Sequence, residues 1–169
     1  MEALGEKAFY YVPNIDIIWP RQLKTLGTSC FQNASFKDKI FDIPNTVSTI
    51  NNYACNSLPS GHTINVPSSV TKIGQYCFGN CSDTILNFDG RVKNIPYCAF
   101  GHNNYSVTGK GHKLNFTEEA LNTIETIDGS AFRCCEFASN PLRPTMQLNS
   151  QHTFYYCLFN TPVVVPKEI

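Results

Sequence analysis

Eight cysteines and four histidines are the residues of this 169-residue chain whose chemistry would count most if they converged. The cysteines contain no CxxC pair, and the adjacent Cys134 and Cys135 cannot chelate one metal or close a relaxed disulfide with each other. His62, His102, His112 and His152 have no Cys, His or Glu at the spacing of a known zinc signature, so they read as surface-loop residues. No GxSxG, HExxH or phosphate-cradling Gly loop occurs, and GKGH at Gly109 lacks the flanking residues of a phosphate loop. These absences lead us to expect no catalytic residues, no cofactor and no metal. Four N-x-[ST] sequons begin at Asn33, Asn80, Asn104 and Asn115, but in so Asn-rich a chain they do not argue for secretion. Eight Tyr and the single Trp19 cluster near turns, where they serve either as padding or as binding anchors.

The spacing of the cysteines makes sense only within an internal repeat. The fragments LGEKAF from Leu4, LGTSCF from Leu26, IGQYCF from Ile73, IPYCAF from Ile95 and IDGSAF from Ile127 share one pattern. An aliphatic residue, a turn-tolerant Gly, Pro or Asp, two mixed positions and a small Ala or Cys lead to Phe. INNYAC from Ile50 ends in Cys55 instead, and NSQHTF from Asn149 keeps only the end of the pattern. The register residues are therefore Phe9, Phe31, Cys55, Phe78, Phe100, Phe132 and Phe154, at spacings of 22, 24, 23, 22, 32 and 22. The one long spacing predicts an insertion of about ten residues at 102–113, read as a projecting surface loop. Cys30, Cys77 and Cys98 lie at or beside the small slot, while Cys81, Cys135 and Cys157 follow the register Phe by three. Free buried Cys packs as a small hydrophobe, which is the preferred reading over a disulfide set or a metal site.

Between copies lie short β-prone runs: IDIIWP, IFDIP, INVP, ILNFDG, KLNFT, MQLN and VVVP, from Ile15, Ile40, Ile64, Ile85, Lys113, Met146 and Val163. Alternation such as Leu114-Asn115-Phe116 is that of a strand with one buried face, and Pro20, Pro44, Pro67 and Pro166 end strands because Pro donates no ladder N–H. A second apolar pair follows in three copies: Val47 with Ile50, Val70 with Ile73, Val92 with Ile95. A unit of 22 to 24 residues cannot bury its own apolar face, so the copies must stack. The expectation is one domain over residues 1–169. It is a repeat solenoid of about seven coils, with a parallel ladder of short strands on one wall and the register residues stacked inside.

The segment INVPSSVTKIGQYCFGNCSDTI, Ile64 to Ile85, combines strand-Pro, Val-x-x-Ile-Gly and a Cys-Phe-x-x-Cys element. In these motifs the chain resembles the BspA-type leucine-rich repeats, from Leu4 to Val165. Cys55, the long coil and the copy before Phe154 depart from the pattern. The resemblance implies a right-handed leucine-rich-repeat-like solenoid or horseshoe, a cell-surface setting, and a binding or adhesion role without catalytic residues.

Thirteen basic against thirteen acidic residues give a formal charge of zero, which offers no electrostatic purchase for nucleic acid. No apolar run is long enough to insert in a membrane. MEALGEKAFYYV lacks a secretory apolar stretch, so the sequence itself leaves an intracellular setting or membership of an assembly open. The expected function is a non-catalytic protein-binding, adhesion or scaffolding module. The alternative is a structural subunit of a virion, appendage or lattice that self-assembles through open solenoid ends. Contacts are expected on exposed strand-face residues, at the ends, or on the loop at His102, Asn103, Asn104, Tyr105 and His112.

Overall fold

The computed structural model describes residues 1–103 and 111–167. In chain order the strands are β1 (Ala3–Leu4), β2 (Thr25–Leu26), β3 (Ile40–Asp42), β4 (Thr49–Ile50), β5 (Thr63–Val66), β6 (Lys72–Ile73) and β7 (Ile85–Phe88). They continue as β8 (Asn94–Ile95), β9 (Lys113–Phe116), β10 (Thr126–Ile127), β11 (Glu136–Phe137), β12 (Gln147–Leu148) and β13 (Leu158–Phe159). One helix, α1 (Glu118–Thr123), lies between β9 and β10. All pairings are parallel and link each coil to the next, which makes the chain a parallel β-solenoid of about seven turns.

Each coil contributes to two walls. The long wall runs β3-β5-β7-β9-β11-β13, and the short wall is split into β1-β2-β4-β6 and β8-β10-β12. The split falls at Pro96. In three other short-wall coils the residue after the aliphatic position donates to the coil before it, Asn51 N–H to Leu26 O, Asp128 N–H to Ile95 O and Asn149 N–H to Ile127 O. The residue in that place after Ile95 is Pro96, which has no N–H to give Ile73.

Three of the expected strands are placed differently. MQLN forms β12 on the short wall, paired with β10, while the long wall in those coils is made by β11 and β13. Both long-wall strands are two residues long, too short to show alternation in the sequence. Val163, Val164 and Val165 form no strand and are exposed. The run from Ile15 makes only an isolated bridge with Phe36; Ile15 is buried and Ile17 and Trp19 pack against the core, while Ile18 is 93% exposed.

The register residues stack as expected, in two runs. Phe9 lies 5.3 Å from Phe31, and Phe78, Phe100, Phe132 and Phe154 follow at 5.9, 5.5 and 5.4 Å between ring centroids. Cys55 divides the runs, and the Phe31 ring is packed from the side by Phe36 and Phe41. A second aromatic file from the long wall, Phe88, Phe116 and Phe137, meets the first edge-on.

The turns around each register residue use the left-handed region at fixed places. Two residues before it stand Lys7, Ser29, Tyr53, Tyr76, Cys98, Ser130 and His152, all with positive φ and none of them Gly. The recurrent glycines do something else. A Cβ on Gly27 would collide with the Leu4 carbonyl, and one on Gly74 with the Asn52 backbone, so these glycines permit close coil-to-coil approach. Two residues after the register position φ is again positive at Tyr11, Asn33, Ser57, Asn80, Cys134 and Tyr156, but not at His102. The long coil leaves the common path there.

Its extra residues are divided between two places. Phe78 to Ile85 is seven residues where Phe100 to Lys113 is thirteen, and Phe88 to Asn94 is six where Phe116 to Thr126 is ten. The second portion is taken up by α1. Thr117 caps it by accepting from the Ala120 N–H at 3.2 Å, Glu118 and Glu119 occupy its first turn, and Ala120 and Leu121 are buried. The cap and acidic first turn are legible as Thr117-Glu118-Glu119 in hindsight. Among the described residues, no helix is long and apolar enough to cross a membrane.

Candidate functional site

Alternation along the long-wall strands turns one row of side chains outward near their C-terminal ends: Asp42, Asn65, Asn87 and Asn115. These four form a single directed hydrogen-bond ladder. Asn115 Nδ2 donates to Asn87 Oδ1 at 2.9 Å, Asn87 Nδ2 to Asn65 Oδ1 at 2.7 Å, and Asn65 Nδ2 to Asp42 Oδ1 at 2.5 Å. Every amide points its donor the same way, and the chain ends on a carboxylate. Polarised chains of this kind strengthen each member.

A groove of about 370 Å³ runs beside the ladder. Its floor is apolar, made by Ile43, Val66, Pro67, Phe88 and the half-buried ring of Phe116. Its far rim holds Asp89 and Thr117. Arg91 Nη1 lies 2.7 Å from Asp89 Oδ1, and the Thr117 hydroxyl donates to the same oxygen at 2.6 Å. Asp89 is thereby neutralised, leaving Asp42 as the exposed charge of the groove. The ladder was missed in the sequence, although the Asn of INVP, ILNFDG and KLNFT and the Asp of IFDIP occupy one place in the aligned runs.

The loop residues fall into three situations. His102 is half-buried, with Nε2 3.0 Å from Ser82 Oγ, and burial lowers its pKa. Asn103 is exposed, and its N–H donates to Asn80 Oδ1 at 2.9 Å. Asn104 and Tyr105 lie outside the described residues. The expectation that His112 sits on a projecting surface loop does not hold, because its side chain is fully buried. Nε2 donates to the Phe78 carbonyl at 2.5 Å, which leaves Nδ1 to accept from the Thr84 hydroxyl at 2.5 Å. Burial pushes its pKa down to about 4, so the ring is neutral at physiological pH. His62 is likewise buried, donating through Nδ1 to the Pro59 carbonyl at 2.9 Å, and is no surface residue.

None of the eight cysteines forms a disulfide, and only Cys157 is less than buried. Those three residues after the register position donate across coils to the register carbonyl: Cys81 to Cys55 at 3.4 Å, Cys135 to Phe100 at 3.3 Å and Cys157 to Phe132 at 2.9 Å. Those in the small slot donate the opposite way, Cys30 to Ala54 and Cys77 to Ala99, both at 3.8 Å. Burial pushes Cys30, Cys81 and Cys157 up to about 12 and raises Cys55, Cys77 and Cys135 as well. Thiols so protonated are poor nucleophiles. Among the described residues, no three His, Cys, Asp or Glu are placed to hold a metal ion.

On another edge Tyr53 and Tyr76 stack at 4.9 Å, with Tyr97 edge-on to Tyr76 at 5.6 Å. Tyr76 has its hydroxyl pKa raised by burial and by hydrogen bonds shared with Cys98 and Tyr97. These rings buttress the turns of neighbouring coils.

A family model described as the BspA type leucine-rich repeat region matches the chain in six copies, over residues 1–107 and 111–169. No curated protein and no solved structure matches it.

Proposed function

We propose that this chain, which belongs to the BspA-type leucine-rich repeat family, is a non-catalytic binding module, adhesive or scaffolding in role, that takes a protein partner. The observation that carries the reading is the long wall. It holds its backbone in fixed register over six strands while its outward side chains differ from coil to coil, as in Ile40, Thr63, Ile85, Lys113, Glu136 and Leu158. A rigid scaffold with a variable face is how solenoids recognise partners. The protonated, buried thiols support the non-catalytic part of the reading. The insertion contributes a second candidate contact through His102, Asn103, Asn104 and Tyr105. His112 is excluded from it by its burial.

Self-assembly is the second reading. Tyr155, Tyr156 and Leu158, neighbours in sequence and each about two-fifths exposed, support it. Sedimentation of the 169-residue chain separates the two: a monomer up to high concentration removes the second reading. The first is tested by capture from the native source, repeated with purified partner. The comparison uses the intact chain, an Ile85→Lys variant and a chain with residues 104–109 removed. Shortening by six residues leaves between Phe100 and Lys113 the length that the preceding coil uses between Phe78 and Ile85. A partner whose affinity neither change lowers contradicts binding at the wall and the loop.

A further inference from the structure

We propose that the groove beside Asn65, Asn87 and Asn115 binds a neutral linear glycan, one sugar unit to each rung, with Asp42 receiving a hydroxyl at the end of the row. This goes beyond the protein-binding reading and does not depend on it.

The hydrogen-bonding capacity of the rungs points to hydroxyls. A side-chain amide has two N–H donors and two carbonyl lone pairs. Within the ladder Asn65 and Asn87 each use one donor on the preceding coil and one lone pair on the following one. One donor and one acceptor remain on the same planar group, a match for two neighbouring hydroxyls, each of which can donate and accept. The rungs hold one another in place, so binding costs little side-chain entropy.

The period selects among ligands. Parallel strands, and therefore rungs, repeat at about 4.8 Å. An extended peptide turns the same edge to a surface only every second residue, at about 6.6 Å, and loses step with the rungs after the first. A β-1,4-linked hexose chain advances by nearly one coil spacing per unit; successive units are turned over, but both edges of each ring carry a hydroxyl, so every rung still meets one. The floor suits the same ligand: the Phe116 ring and Pro67 offer apolar faces to the C–H side of a sugar ring, beside a row of polar groups. Charge complementarity excludes the anionic candidates. Asp42 stands exposed at one end and Asp89 is already matched by Arg91, so the groove carries negative charge and no cation free of an acid.

The test titrates the full chain calorimetrically with three neutral β-1,4-linked hexasaccharides, cellohexaose, xylohexaose and mannohexaose, and with hexagalacturonate as the anionic control. Saturable binding of at least one neutral hexamer is expected, with hexagalacturonate at least about tenfold weaker. Asn87→Leu breaks the ladder at its centre and should weaken binding about tenfold or more. Asn115→Ser, at an exposed rung, and Phe116→Ala supply the same test should the Asn87 variant fail to fold, as judged by its circular dichroism. Three results would overturn the proposal: no neutral hexamer binding at millimolar concentration, hexagalacturonate binding as well as the neutral ligands, or binding indifferent to all three substitutions. Self-association of the chain that Asn115→Ser abolishes would also overturn it, assigning the groove to a second copy.

Discussion

The ring of Phe78 lies parallel to that of Phe100, with centroids 5.9 Å apart and planes within 2°, and both side chains are fully buried. Twenty-two residues separate them, one coil, so the contact is made by the repeat itself. Phe100 also meets Phe132, Phe88 and Phe116. Replacing either residue by Ala leaves a cavity that a stacked interior cannot close from both sides. Phe78→Ala and Phe100→Ala are each expected to lower unfolding free energy by about 3–5 kcal/mol. Chemical denaturation measures this, and a loss below about 1 kcal/mol would contradict the stack as the organising element.

Cys55 occupies the register slot where the other copies carry Phe, and it is completely buried. Phe36 and Phe41, from the segment between Phe31 and Cys55, pack on the Phe31 ring from the side. Cys55→Ala is expected to cost about 1 kcal/mol. Cys55→Phe, although it restores the repeat pattern, is expected to cost about 1–3 kcal/mol through overpacking. A gain in melting temperature for Cys55→Phe would show that the slot is an unfilled space.

His112 makes stability depend on pH. Its folded pKa is pushed down to about 4 by burial, against an unfolded value of about 6.5. Between these values the unfolded chain takes up a proton that the folded chain refuses. The His112 contribution is therefore intact above pH 6.5, falls as pH drops, and has lost about 3 kcal/mol by pH 4. His112→Asn should be less stable than the parent at pH 7, with the gap closing by about that amount at pH 4. Unfolding curves for the pair at several pH values check this, and a constant gap would mean the ring is hydrated.

The thiols offer a direct count. Eight are expected to react with a thiol reagent in denaturant without reductant, since none is in a disulfide. In the native chain Cys157, the one thiol that is not fully buried, should react first and slowly, because burial holds it at about 12. Reaction of Cys55 or Cys135 at the rate of a free thiol would contradict their burial.

The repeat could be read before folding because it is a covalent property. The offset of five from aliphatic residue to Phe and the spacing near 22 are present in the chain, and stacking Phe on Phe is the cheapest way to bury them. The alternating runs of β5, β7 and β9 were legible for the same reason: four residues suffice to show which face is apolar. At two residues β11 and β13 carry no such signal, and only their pairing partners make them strands.

The ladder of the candidate site was not legible in the sequence. Each Asn of the ladder stands alone in its own run, and what matters is the side-chain bond across 22 to 28 residues. His112 shows the same limit. Its neighbours in sequence are Gly111 and Lys113, a polar setting that reads as surface, while Thr84 and the Phe78 carbonyl that enclose it come from the preceding coil. The sequence by itself determined the period, the stacked register residues and the family, since each is written within one coil and repeated. Only the tertiary structure decided which polar groups meet between coils, because a cross-coil hydrogen bond depends on relative height and direction, which a linear pattern does not carry.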